Sequence, residues 1–517
     1  MSDIPWLTLG VALPALGALA VALVPRAAAG LAKRVALGVS LGTLALMVAM
    51  AANFSTAAAG ELQFTEVHPW IPRFGINYAV GVDGIALLLI LMSVVLVPLV
   101  VLAAWNECDD AEDGGKGYFG LILLLEAMMV GVFAATDVFL FYVFFEAMLI
   151  PVYFMIGRYG RGAERRKAAI TFLLYSLAGG LLMLVAVIGV YVYGGTFLWS
   201  DLTGGALAQV DPAAARWLFL GFFIAFAIKA PMWPLHSWLP TAASSSRPGT
   251  AVLLVGVLDK VGTYGMLRYC LELFPGAATW FVWPAVALSL VSIIYGAVLA
   301  IGQSDMMRLI AFTSVSHFGF ITLGIFAMTT QGQSGAALYM VNHGFATGAL
   351  FLIVGFLIAR QGSAAIADYQ GVQKAAPVLA GTFLLAGLAG LALPGLAPFV
   401  SEFLVFVGTY AFNPVPAVVA AVGVVLAALY ILWMYQRTMT GPLPERLSGL
   451  RDLNVREVGA IAPLAALIVV LGVYPQPLLD AAEPAVERTM LQLDAVDPAP
   501  AVDGSGPVAG GGKEPGE

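Results

Sequence analysis

The sequence predicts an all-α polytopic membrane protein of about 14 transmembrane helices, with helices 7 and 12 broken and two inverted five-helix repeats. Three observations predict it. Of the 517 residues, 61% are hydrophobic and 11% charged, and the mean hydropathy is +0.93, which excludes an ordinary soluble globular chain. Apolar stretches of about 20 residues, each long enough to cross a bilayer, recur from Ile4 to Val473 with only short gaps. Basic residues then alternate from loop to loop, as they do in a chain that crosses a membrane repeatedly.

In order, the segments fall at 4–24, 35–54, 84–105, 117–135, 137–157, 168–193, 214–240, 247–273, 277–300, 306–329, 335–359, 378–412, 416–437 and 455–475. The first has the length of a secretory signal, but nothing basic precedes it and Arg26, Lys33 and Arg34 follow it, the reverse of a signal's charge order. It is predicted to be a retained helix with its N-terminus outside. Loops after odd-numbered segments hold 17 of the 24 Lys and Arg; loops after even-numbered segments and both tails hold 5. The other two, Lys229 and Lys260, lie inside segments. A miscounted helix would scramble this alternation, so both termini are predicted on the outer side.

The chain divides into 1–115, three helices and their loops; 116–273, the first repeat with helices 4–8; 274–438, the second repeat with helices 9–13; 439–476, a last helix; and 477–517. That final piece is an amphipathic stretch and then VDGSGPVAGGGKEPGE, whose glycine, proline and acid predict disorder. Its acidity explains much of the net charge of −7, which is therefore no sign of a partner.

Chemistry is carried by Glu126, Glu146, Lys229, Lys260 and Glu402, all well inside apolar segments, joined by His236, His317 and His343. A central charge costs about 2.5–3.5 kcal/mol on insertion scales, so four unpaired ones would cost roughly 10–14 kcal/mol. Ion pairs that merely glue helices are the weaker explanation, because apolar side chains usually pack as well or better. Retained intramembrane charge more often marks an ion path. A lysine deprived of water holds its proton less firmly and a nearby carboxylate restores the hold, so the pair makes a proton switch; histidine suits a relay between switches.

The prolines point the same way. In AFAIKAPMWPLHSWLP, Pro231 and Pro234 remove backbone donors just after Lys229 and free carbonyls that only protein or water can satisfy. LALPGLAPFVSEF repeats the device before Glu402, with Pro394, Gly395 and Pro398. Paired broken helices are the mark of inverted-repeat transporters. Glu146 and Lys229 are 83 residues apart and His317 and Glu402 are 85 apart, which five-helix repeats would explain.

Other features carry less. Gly115, Gly117 and Gly120 match G-x-G-x-x-G but follow an acidic loop and not a strand, so they are no nucleotide site. Cys108 and Cys270 form no C-x-x-C, which leaves no disulfide framework, zinc site or iron–sulfur ligation. His68 lies in a predicted external loop.

FFEAMLIPVYFMIG, AFAIKAPMWPLHSWLP, GVLDKVGTYGMLRYC, SVSHFGF, NHGFATGALFL and LALPGLAPFVSEF, in that order, resemble the antiporter-like subunits of respiratory complex I over segments 3 to 14. The same fold serves the large subunits of multisubunit sodium/proton antiporters, which is the alternative reading. The resemblance implies a proton-translocating subunit of NADH-quinone oxidoreductase in the bacterial cell membrane, without a redox centre or cofactor of its own. NADH, flavin, iron–sulfur clusters and quinone would belong to partner subunits. It also implies contacts with membrane lipid and with the neighbouring antiporter-like subunits L and N, and none with nucleic acid. Subunits L and N typically carry lysine in the broken twelfth helix where this chain has Glu402, and the chain lacks a long lateral helix after segment 14.

Carried over residue by residue, Glu146 is similar to the glutamate that modulates the helix-7 lysine, here Lys229. Lys260 resembles the connecting lysine of helix 8, His317 and His343 the central relay, and Glu402 the terminal site that opens outward. Glu126 and His236 would support them. Thr241, where the family often has aspartate, is a departure confined to the loop after segment 7.

Overall fold

Inside a bilayer no water reaches the backbone, so each apolar run satisfies its own N–H and C=O groups as a helix. The computed structural model describes residues 4–498. The first half of the chain forms α1 (Trp6–Leu23), α2 (Ala29–Ala52), α3 (Gly84–Ala103), α4 (Lys116–Ala134), α5 (Val138–Gly157), α6 (Arg165–Gly194), α7 in two halves (Pro212–Lys229 and Trp238–Ser245) and α8 (Pro248–Leu271). The second half forms α9 (Pro275–Ile301), α10 (Met306–Phe326), α11 (Thr330–Gln361), α12 in two halves (Pro377–Gly390 and Ala397–Phe412), α13 (Pro414–Met439), α14 (Val455–Val473) and α15 (Gln476–Gln492). Among the described residues, thirteen helices are long and apolar enough to cross a membrane, and the shorter halves of α12 account for the remaining predicted segment. The disorder predicted from Val502 onward lies outside the described residues.

Polar side chains at the ends of the spans start these helices. Asp137 accepts from the N–H groups of Phe139 and Leu140, Asp305 from that of Arg308, and Asn454 forms a reciprocal cap with Glu457. The rim and the centre then differ. On α6, Leu174, Leu181, Val185 and Val192 are exposed, as are Val415, Val418, Val422 and Val425 on α13, a lipid-facing surface; α8, α10 and α11 are buried along their spans. Close packing at the centre needs small residues: a Cβ on Gly296 of α9 would lie 2.7 Å from the Ser316 nitrogen of α10, and one on Gly319 would lie 2.7 Å from the Ser289 oxygen.

Between α2 and α3 the segment reading has a plain external loop. The structure instead has a hairpin, β1 (Gln63–Ile71) antiparallel to β2 (Ile76–Val82), with His68 exposed opposite Tyr78. Pro69, Pro72 and Gly75 interrupt any strand pattern there, and the pairing is held partly from outside, by the Asn77 N–H donating to Asp137 at 3.0 Å.

Helix α15 is docked and not a loose appendix. Gly84 lets it approach α3 so closely that a Cβ would meet the Ala481 carbonyl at 1.6 Å. Arg488 then reaches Asp83 at 2.9 Å and Glu272 at 3.2 Å, while Arg268 holds the same two carboxylates at 2.5 and 3.4 Å under the ring of Trp199. Burial by itself would raise the Asp83 carboxyl, but Arg268 and Arg488 more than offset it and leave it below the usual carboxylate range. Its stabilising contribution is therefore present above that range and is lost as pH falls through the lowered value. Asp83→Ala, which leaves Arg268 and Arg488 to share the single buried carboxylate of Glu272, is expected to cost up to about 3–5 kcal/mol and to lower the thermal midpoint of the detergent-purified protein.

Candidate functional site

The α7 helix stops at Lys229 because Pro231 and Pro234 cannot continue it. Protein groups take up the freed backbone. The Trp238 indole donates to the Ile228 carbonyl at 2.9 Å, and the Ser292 hydroxyl accepts from the Trp233 N–H at 2.9 Å. Lys229 is left fully buried at the helix end, its Nζ without a hydrogen-bond partner, 4.8 Å from the Phe145 ring and 5.9 Å from that of Phe172. Aromatic faces stabilise an ammonium without accepting its proton, so this lysine is held and still free to exchange.

Glu146 follows, on α5, the Phe145 whose ring covers Lys229, and has one oxygen buried without a donor. Its niche is cut by α6. A Cβ on Gly180 would fall 1.7 Å from Glu146 Oε1, so any other residue there would displace the carboxylate from this position.

The α8 helix crosses the bundle from this place. Its turn Leu254–Leu258 is π-helical, with the Asp259 N–H bonded five residues back to Leu254 at 3.1 Å. The widened turn gives Lys260 Nζ the Val255 carbonyl at 2.6 Å, and the same nitrogen lies 2.7 Å from His343 Nδ1 on α11. Lysine and histidine can share one proton there: the ammonium donates to a neutral imidazole, or the amine accepts.

From His343 the polar file continues along α10 and α11. The His343 and His317 rings lie 5.1 Å apart between centroids, His317 and Tyr339 lie 5.9 Å apart, and the Tyr339 hydroxyl donates to Glu402 at 3.3 Å. Glu402 sits in the second half of α12, after a break in which Gly395 takes a φ of +91°. Asn342 closes that break by donating to the Ala397 carbonyl at 2.9 Å and to Ser401 at 3.3 Å.

The fold thus brings Glu146 and Lys229 together at one end, and Lys260, His343, His317 and Glu402 along the other. It does not bring in two of the predicted supporters. Glu126 is fully buried on α4 with both oxygens unpartnered, and His236 turns its ring to Tyr295 of α9, 5.1 Å between centroids. One residue of the file, Tyr339, was not among those read from the sequence. Tyr339 precedes His343 by four on α11 and so shares its face, a spacing visible in the sequence.

A bundle of buried helices, two of them broken beside ionisable side chains, with a file of exchangeable groups between the breaks, defines a multi-pass membrane protein of the ion-translocating class. Residues 135–429 match the family described as NADH:quinone oxidoreductase/Mrp antiporter, transmembrane. NADH-quinone oxidoreductase subunit M of Mycobacterium tuberculosis is 52% identical over 99% of this chain and 98% of its own. Respiratory complex I from Thermus thermophilus with bound NADH contains a chain of 34% identity and TM-score 0.85, covering 94% of this chain and 99% of that one. The Mrp complex from Dietzia sp. has a similar fold, at 21% identity and TM-score 0.80, over 94% of this chain and 99% of that one. The chain belongs to the NADH:quinone oxidoreductase/Mrp antiporter transmembrane family.

Proposed function

We propose that this chain is a proton-translocating membrane subunit of NADH-quinone oxidoreductase, of the subunit M type, in a bacterial cell membrane with both termini outside. NADH, flavin, iron–sulfur clusters and quinone reside in partner subunits, and subunits L and N flank it in the membrane. The observation that carries this reading is the contact of Lys260 Nζ with His343 Nδ1 at 2.7 Å, which joins α8, packed against the end of α7, to the file on α10 and α11 that runs on to Glu402. The nearly full-length likeness to subunit M supports the same reading.

Quinone reduction elsewhere moves or neutralises Glu146, which changes how firmly Lys229 holds its proton. The proton then passes to Lys260, along His343, His317 and Tyr339, and leaves from Glu402. Outward movement of one charge works against about 2.3 kcal/mol per 100 mV, and each unit of pKa change supplies about 1.4 kcal/mol, so switches of a few units suffice. The two five-helix repeats, 116–273 and 274–438, each contribute one broken helix to this line.

A multisubunit sodium/proton antiporter is the second reading, favoured by the fold shared with the Mrp complex. Purification of the native assembly separates them. Co-purification with a flavin- and iron–sulfur-containing quinone reductase that drives proton uptake into vesicles on NADH addition supports the first reading, whereas an assembly of small membrane subunits without electron transfer overturns it. Within the first reading, Gly180→Ala is expected to push the Glu146 carboxylate out of its niche and to slow NADH-driven proton uptake by up to about 10²-fold, with assembly unchanged.

A further inference from the structure

Asp259 is fully buried in α8, and both of its carboxylate oxygens lack a hydrogen-bond donor. The relay described above does not use it. An unpartnered carboxyl at membrane depth is among the costliest side chains a helix can carry, and the residues beside it in the chain are Leu258 and Lys260.

Its position on the helix determines what it faces. Gly262, three residues further on the same face, is pressed into the break of α7: a Cβ there would lie 2.5 Å from the Phe226 carbonyl and 2.7 Å from the Ala230 nitrogen. Asp259, on the same face as Gly262, therefore looks toward the turn that ends in Lys229. Lys260, about 100° further round the helix, looks away from α7 to His343. Two adjacent side chains of one helix thus face the two parts of the file between which the residues named so far leave a gap.

We propose that Asp259 is the proton-exchange carboxyl linking Lys229 to Lys260, an inference that rests on the proton-pump reading and adds a residue to it. In the first step the Lys229 ammonium gives its proton to the Asp259 carboxylate, leaving an amine and a carboxylic acid. In the second the acid gives that proton to the Lys260 amine, which restores the carboxylate and leaves an ammonium beside His343. Water hydrogen-bonded between the groups can carry either transfer without changing the balance.

The test compares wild type, Asp259→Asn, Asp259→Glu and Lys229→Ala in the purified, reconstituted complex, reading NADH-driven proton uptake and redox-induced infrared difference spectra. Asp259→Asn is expected to slow uptake about 10²-fold and to remove a protonated-carboxyl stretching band, with both restored in part by Asp259→Glu. Unchanged uptake in Asp259→Asn, with uptake lost in Lys229→Ala, overturns this inference alone. Normal uptake in Lys229→Ala overturns the proton-pump assignment beneath it. Uptake lost with the band retained also overturns the inference, because the carboxyl would then act as a fixed charge. If Asp259→Asn does not assemble, Asp259→Leu takes its place, and normal uptake in that variant is equally decisive against it.

Discussion

Lys229→Ala is expected to suppress NADH-driven proton uptake while the protein still assembles. The lysine is fully buried at the broken end of α7 and makes no hydrogen bond, so its removal leaves no hydrogen-bond acceptor without its donor. What is lost is the exchangeable proton, and loss of a positioned acid or base typically slows transfer by 10²- to 10⁴-fold. Lys229→Arg sharpens the point. Arginine keeps the positive charge between Phe145 and Phe172 but does not release its proton, so it too is expected to block uptake. Uptake measured on vesicles containing each variant decides it: full activity in Lys229→Arg would show that a fixed charge is enough and would remove Lys229 from the proton path.

Lys260→Met is expected to block uptake as strongly and, unlike a change at Lys229, to weaken the fold. Methionine preserves the length and the apolar packing near Phe318, but the Val255 carbonyl and His343 Nδ1 both lose their hydrogen-bond partner. Each buried polar group left unsatisfied costs about 1–3 kcal/mol. Lys229→Met leaves no such groups behind. Thermal unfolding of the two variants, side by side with proton uptake, therefore separates them: both lose uptake, and only Lys260→Met shows a clearly lower midpoint. Equal midpoints would mean that the contact between α8 and α11 contributes nothing to stability.

The breaks and the ionisable residues were legible because each is a local property of the chain. Pro231, Pro234, Pro394 and Pro398 end helices whatever surrounds them, and a lysine or glutamate within an apolar run stands out by composition alone. The hairpin at Gln63–Val82 was not legible, since its prolines hide the alternation and Asp137 of a distant segment helps to hold it. The order of the relay was legible only in part. His343 and Tyr339 share a helix face by spacing, but that the Tyr339 hydroxyl meets Glu402 depends on how α11 and α12 cross.

What the sequence by itself determined is the membrane class, the run of apolar spans, the two broken helices and the set of buried ionisable groups, because hydropathy, proline chemistry and charge act where they stand in the chain. Only the tertiary structure decided which of those groups meet. It turned His236 toward Tyr295, left Glu126 without a partner, cut a niche for Glu146 at Gly180, and aimed Asp259 and Lys260 at opposite neighbours. Contact between helices depends on their rotation and crossing, which many residues set together and no single stretch of sequence records.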